Sequence, residues 1–140
     1  MVTTMENAKE PKITAHDSNG NVIYRKYSND YEEWFDYNPY GNIIHVKCSD
    51  GFECWREYDS NGNVSHMKYS DGYEMWYEYN ARGNITHKKC SDGVEYWAEY
   101  DARGNITHKK YSKGYEYWKE YDSNGNVIHA TDSNGNEEWY

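Results

Sequence analysis

The chain has 140 residues, enough for one domain, and carries a formal net charge of −9. This charge argues against nucleic acid as a partner, because lysine and arginine contacts to phosphates dominate that affinity, and also against anionic membrane surfaces. Tyrosine contributes 17 residues and tryptophan 6, a strand-forming composition that excludes intrinsic disorder.

The first predicted elements in chain order are a flexible tail over residues 1–11 and an edge strand within residues 12–20, with Ile13 where later units carry tryptophan. The tail has no apolar run of the length that a signal peptide needs, and no segment reaches the roughly 20 apolar residues of a membrane span. Three cysteines without regular spacing favour a reducing compartment. We therefore expect a cytoplasmic protein.

Six tandem units of 21 residues follow, because tryptophan, histidine and a Gly-Asn pair all recur at that step. Each unit has two runs of strand-forming residues bounded by turn residues, which is typical of a β-hairpin. The sequence thus predicts an all-β fold, an antiparallel meander of about 12–13 strands in a twisted or spiralling sheet. We expect one repeat domain over residues 12–140, with units near 21–41, 42–62, 63–83, 84–104, 105–125 and 126–140.

The register follows from the odd repeat length. Side chains alternate between the faces of a strand, so we expect a three-residue Ser-Asp-Gly turn to be balanced by a four-residue second turn such as Asp59–Gly62. This predicts that His66 faces Trp76 across the first turn and Trp55 across the second. Glu–Lys and Glu–Val rows should lie on the same face. The predicted structural ladder consists of Trp34, Trp55, Trp76, Trp97, Trp118, Trp139, His45, His66, His87, His108 and His129.

The opposite face is rich in tyrosine and varies between units. It is predicted to be either the packed interior of a coiled sheet or a recognition surface, since tyrosine and tryptophan dominate binding hot spots. The candidate partner-binding residues are Tyr69, Tyr73, Met75, Tyr77, Tyr96, Tyr115 and Tyr117. In the last unit, Thr131, Asp132 and Asn136 replace a lysine and two tyrosines, as expected of a terminal cap.

The string Tyr100-Asp101-Ala102-Arg103-Gly104-Asn105 resembles the repeat core of the RHS/YD-repeat family, and Tyr58–Asn63 and Tyr121–Asn126 carry the same motif. The resemblance implies a spiralling β-sheet. Large members of that family form shells around a toxin domain or act in cell-surface contact. Short free-standing arrays of related hairpins also resemble immunity proteins of bacterial polymorphic toxin systems.

No motif predicts catalysis, a cofactor or a metal site. Successive histidines lie two strands apart, roughly 9.6 Å, too far to share one zinc ion. The glutamates recur in every unit, as structural ion pairs do and a single catalytic pair does not. We therefore expect a non-catalytic protein-interaction module, with an immunity protein against a basic toxin as the leading interpretation. The alternatives are a scaffold fragment without its own ligand, a glycan-binding or cell-wall-binding aromatic repeat, and a homodimer through a sheet face or edge.

Overall fold

The computed structural model describes residues 10–140, so most of the predicted tail, residues 1–9, lies outside the described residues. Thirteen strands were found there and no helix, as the repeat predicts. They are β1 Ile13–His16, β2 Val22–Lys26, β3 Glu32–Tyr37, β4 Ile43–Cys48, β5 Glu53–Tyr58, β6 Val64–Tyr69, β7 Glu74–Tyr79, β8 Ile85–Cys90, β9 Glu95–Tyr100, β10 Ile106–Tyr111, β11 Glu116–Tyr121, β12 Val127–Asp132 and β13 Glu137–Trp139.

The strands form one antiparallel sheet in chain order, and the sheet is not closed. Each predicted unit supplies two strands, and Ile13 pairs with Lys26 as Trp34 pairs with Lys47, which confirms its place in the repeat. By contacts, the described residues divide into one unit of residues 10–57 with 68–72 and another of residues 58–67 with 73–140. No helix within residues 10–140 is long and apolar enough to span a membrane.

Both turns of a repeat are three-residue loops. At the first turn, the Cys90 amide donates to the Val94 carbonyl at 2.7 Å; at the second, the Asp101 amide donates to the Asn105 carbonyl at 2.9 Å. Gly93 and Gly104 take positive φ angles of 89° and 91°, which glycine adopts without steric cost. The predicted four-residue second turn is therefore wrong.

A β-bulge supplies the residue that makes the repeat odd. Ile106 pairs with Tyr100, but His108 pairs with Glu99, so Thr107 is left over in β10. The same register shift occurs between β1 and β2, β3 and β4, β7 and β8, and β11 and β12. A bulge and an even loop satisfy the same parity, so the side chains from the histidine onward keep their predicted face.

The bulge corrects the partners predicted across the second turn. Tryptophan faces lysine there instead of histidine, as in Trp97 opposite Lys110. Glu53 was predicted to lie opposite Lys68, but its backbone amide donates to the Ser70 hydroxyl and its carbonyl accepts from the Ser70 amide. The predicted Glu–Val row is also wrong, because the residue before the bulge lies opposite tyrosine, as Ile106 does opposite Tyr100. Pairing across the first turn is confirmed at His45–Trp55, His87–Trp97, His108–Trp118 and His129–Trp139.

Two faces result, here named the Trp face and the Tyr face after their commonest large aromatic residue. The tryptophans of the Trp face are partly exposed, Trp97 by 41%. The few buried side chains lie on the Tyr face: Cys48, Cys54, Cys90 and Ala98 are 1–5% exposed. The better-packed side of the sheet is therefore the Tyr face.

Candidate functional site

Each histidine of the Trp face stacks on the tryptophan across the first turn. The ring centroids of His87 and Trp97 are 4.9 Å apart with 7° between the planes, and those of His108 and Trp118 are 4.8 Å apart with 5°. His66 stacks on Trp76 in the same way. The ladder thus consists of separate pairs, because the residue opposite tryptophan on the next strand is a lysine at Trp76 and Trp97 and a threonine at Trp118.

Carboxylates flank these histidines. His45 contacts Glu53 through Nε2 at 3.0 Å and Asp36 through Nδ1 at 3.1 Å. Both contacts are hydrogen bonds only when the ring carries both protons. A five-strand row on this face therefore reads glutamate, histidine, tryptophan, lysine, glutamate, and is made by Glu78, His87, Trp97, Lys110 and Glu116.

The Tyr-Asp motif serves the backbone. The Asp101 carboxylate accepts hydrogen bonds from the amides of Arg103 and Asn105 and from the Asn105 side chain, which lowers its pKa. The Tyr100 hydroxyl donates to the Ile85 carbonyl at 2.7 Å, on the neighbouring strand beyond its last paired residue. The same bond joins Tyr37 to Val22, Tyr79 to Val64 and Tyr121 to Ile106. These motif residues therefore hold strands together.

Successive hairpins alternate on the Tyr face, a pattern that sequence reasoning missed. The residue directly before the three-residue loop of the first turn is Tyr27, Cys48, Tyr69, Cys90 and Tyr111 in successive units. The buried thiol of Cys90 is hydrogen-bonded to Tyr73, which raises the pKa of Tyr73 to about 12. Cys48 and Tyr31 form the same pair, and the bond raises the pKa of Tyr31. At this position, tyrosine and cysteine thus alternate with a period of 42 residues from Tyr27 to Tyr111, twice the hairpin repeat.

The candidate partner-binding residues all lie toward the Tyr face. Tyr96 and Tyr117 are half-buried, and desolvation raises the pKa of both. Tyr115, 40% exposed, lies 6.4 Å from Tyr117 between ring centroids. The Tyr77 hydroxyl reaches the Met75 sulfur at 3.1 Å. In the other contact unit, Tyr69 packs on Phe52.

Lysines are interleaved with these tyrosines, and the candidate set omitted them. The Lys109 ammonium lies 3.8 Å from the centroid of Tyr96 and 5.2 Å from that of Tyr111. Lys88 lies 5.6 Å from Tyr77 in the same way. Their strand positions in the sequence place Lys88, Lys109 and Lys119 on the Tyr face, and this was the available signal. Together with Tyr77, Tyr96, Tyr111 and Tyr117 they form what we call the lysine–tyrosine patch.

Residues 10–140 bring together no group of three or more histidine, cysteine or acidic side chains suited to hold a metal ion. A shallow groove of about 560 Å³ lies at the β11–β13 edge, next to Tyr117 and Lys119, and Asp132 and Glu138 also line it. At this edge, the lysine–tyrosine patch therefore borders on carboxylates.

Comparison with known proteins gives a family match for part of the repeat. Residues 100–137 match the RHS repeat family model, which confirms the resemblance inferred from the Tyr-Asp motif. A Photorhabdus luminescens Tc holotoxin pore with a mutation in TccC3 is similar in fold, at 16% identity and a TM-score of 0.71 over 84% of this chain. Complexes of TcdB2 and TccC3, with and without Cdc42, match with the same values. The chain spans only 6–7% of the length of those chains, and no curated protein sequence matches it.

Proposed function

We propose that this RHS-repeat chain is a non-catalytic scaffold segment whose sheet presents one face to another protein. The observation that carries the proposal is that the side chains of the recurring residues bond to a neighbouring strand or to their own turn. The hydroxyl of Tyr100 donates a hydrogen bond to a backbone carbonyl, and the carboxylate of Asp101 accepts hydrogen bonds from two backbone amides. Ser133 similarly accepts from the Glu116 amide and donates its own amide to the Glu116 carbonyl.

The family match and the solved neighbours support the scaffold interpretation, which was the alternative in the sequence analysis. Two of those neighbours are complexes named for two or three proteins, which supports a protein partner in general terms. The comparisons give no support to the immunity-protein interpretation. The expected cytoplasmic location stays a prediction.

A scaffold of tandem units should tolerate loss of whole units, because each hairpin contacts only its neighbours. Deleting residues 84–125 removes two units and so retains the 42-residue alternation. In the shortened chain, the strand that contains Asp132 comes directly after the hairpin that contains Tyr73. In the full chain, it comes directly after the hairpin that contains Tyr115, whose hydroxyl bonds to Asp132. We expect the shortened chain to keep its β circular dichroism and to unfold cooperatively at a lower urea midpoint.

A second deletion removes the same number of residues, 94–135, between two first turns, and so joins the first strand of one hairpin to the second strand of another. We expect it to fold equally well, because both cuts keep the repeat frame. Loss of structure in both deletions would contradict the scaffold proposal.

A further inference from the structure

Charge divides between the two faces of strands β7–β11. The strand positions of the Tyr face there carry three lysines and no carboxylate. The same strands place six glutamates and two lysines on the Trp face: Glu74, Glu78, Glu95, Glu99, Glu116, Glu120, Lys89 and Lys110. A chain with a net charge of −9 therefore has one locally cationic surface.

Among residues 10–140, the three lysines of this surface form no ion pair with a carboxylate, whereas Lys26 and Arg25 do. On the Trp face, the Lys26 ammonium lies 3.3 Å from Glu32, and on the Tyr face of the other contact unit Arg25 lies 3.8 Å from Glu33. Lys88 and Lys109 instead contact the faces of tyrosine rings. A ring engages the ammonium through its π-electrons and leaves N–H groups able to donate to a carboxylate.

The spacing of the three ammonium groups fits an extended chain segment. Lys88 lies opposite Tyr96 and Lys109 lies opposite Ala98, so these lysines are two strands and two residues apart, roughly 12 Å between Cα atoms. Lys109 and Lys119 are diagonal neighbours, roughly 7–8 Å apart. In an extended peptide, residues two, three and four positions apart are separated by roughly 6.6, 10 and 13 Å. Carboxylates two to four residues apart can therefore reach successive lysines, while the tyrosine rings between them offer apolar contact.

A short acidic segment suits this patch better than a long polyanion does. The acidic Trp face and the net charge of −9 repel a nucleic acid along its whole length. Within a Debye length of about 8 Å, the local lysines dominate the field that a short segment meets. Charge complementarity thus favours a peptide with carboxylates over a phosphate backbone.

We infer that the lysine–tyrosine patch of β7–β11 binds an extended, acidic segment of a protein partner. The inference rests on the proposed function, since it names the chemistry of the protein that the scaffold engages.

The test uses the full chain and a fluorescent peptide of about eight residues, a length that exceeds the three strand spacings between Lys88 and Lys119. In the probe, glutamate occupies every second position, and leucine or serine occupies the positions between. In the control peptide, glutamine replaces every glutamate. Fluorescence polarisation should detect the glutamate peptide alone, with affinity that falls as salt rises. Equal binding of the glutamine peptide, or no binding of either, would overturn the inference.

Adjacent residues provide the matched variants. Lys88→Gln with Lys109→Gln removes two charges from the Tyr face, and Lys89→Gln with Lys110→Gln removes two from the Trp face of the same strands. We expect at least a tenfold loss of affinity in the first pair and less than a twofold change in the second, with both circular dichroism spectra unchanged. Equal losses would show that net charge alone drives binding, and would refute the assignment.

Two other occupants are distinguished in the same experiment. If an oligothymidine binds more tightly than the glutamate peptide, and its binding depends equally on Lys88 and Lys109, the ligand of the patch is a phosphate backbone and not an acidic peptide. Self-association in sedimentation that the Lys88→Gln, Lys109→Gln pair abolishes and the Lys89→Gln, Lys110→Gln pair does not would replace it by the acidic Trp face of a second copy. Either result overturns the inference, while the deletion of residues 84–125 tests the scaffold proposal independently.

Discussion

The hydroxyl of Tyr100 offers the sharpest test of how the strands are held together. We expect Tyr100→Phe to destabilise the fold because it removes the 2.7 Å hydrogen bond to the Ile85 carbonyl. The bond contributes about 0.5–1.5 kcal/mol, and an acceptor left without a partner costs about 1–3 kcal/mol. Ile85 and Tyr100 are half-buried, so water can partly replace the hydroxyl. We therefore expect a net loss of about 1–2 kcal/mol, at the lower end of that range.

Tyr96 provides a matched control on the same strand and face. It is also half-buried, but its hydroxyl has no hydrogen-bond partner among residues 10–140, and its ring contacts Lys109 and Tyr111. Tyr96→Phe should change the free energy of unfolding by less than about 0.5 kcal/mol. Urea unfolding, followed by tryptophan fluorescence, measures both variants.

The equivalent changes should add up. The hydroxyls of Tyr79, Tyr100 and Tyr121 each bond a different carbonyl. They lie two strands apart, roughly 9.6 Å, where effects are usually independent. The triple phenylalanine variant should therefore lose about 3–6 kcal/mol. Equal losses in Tyr96→Phe and Tyr100→Phe would refute the reasoning, because the ring and not the hydroxyl would then carry the stability.

Three further changes test other features. Asp30 has a φ of 62° where later units carry glycine, and its ion pair with Lys26 is exposed and therefore weak, so Asp30→Gly should raise the melting temperature; an unchanged or lower value would contradict this. Hydrogen bonds lower the pKa of Asp101 below its usual 3.8, so its stabilisation is complete above pH 3.8 and is lost as pH falls through the lowered pKa. Asp101→Asn, for which Asn80 is the natural precedent, should flatten the acid limb of a melting-temperature profile, and an unchanged limb would refute that role. Cys90→Tyr should cost about 1–3 kcal/mol because the thiol is buried, and a urea midpoint equal to that of the unchanged chain would contradict the two-hairpin period.

The sequence predicted the hairpins, the strand number and most residues of each face, because these depend on recurring aromatic residues and turn glycines. It also predicted first-turn pairs such as His108–Trp118, since that loop has one clear length. Second-turn partners failed because an even loop and a bulge satisfy the same parity. The last unit held the missing signal: its Asp132–Asn136 loop has the second-turn sequence at a first-turn position, so both turns have equal length.

The candidate binding face was only partly predictable. Tyrosine hot-spot chemistry pointed to Tyr96 and Tyr117, but the candidate set included no lysine. Only the strand register assigns Lys109 to the Tyr face and Lys110 to the Trp face, although the two are adjacent in sequence. Local charge on a sheet therefore has to be read face by face.

The register of β9 and β10 tests the central claim most directly, because the bulge at Thr107 sets every second-turn pair. Interstrand nuclear Overhauser effects measure it on the unmodified chain. We predict contacts that place Trp97 opposite Lys110 and Glu99 opposite His108. Contacts that place Trp97 opposite His108, as an even second turn requires, would contradict the account.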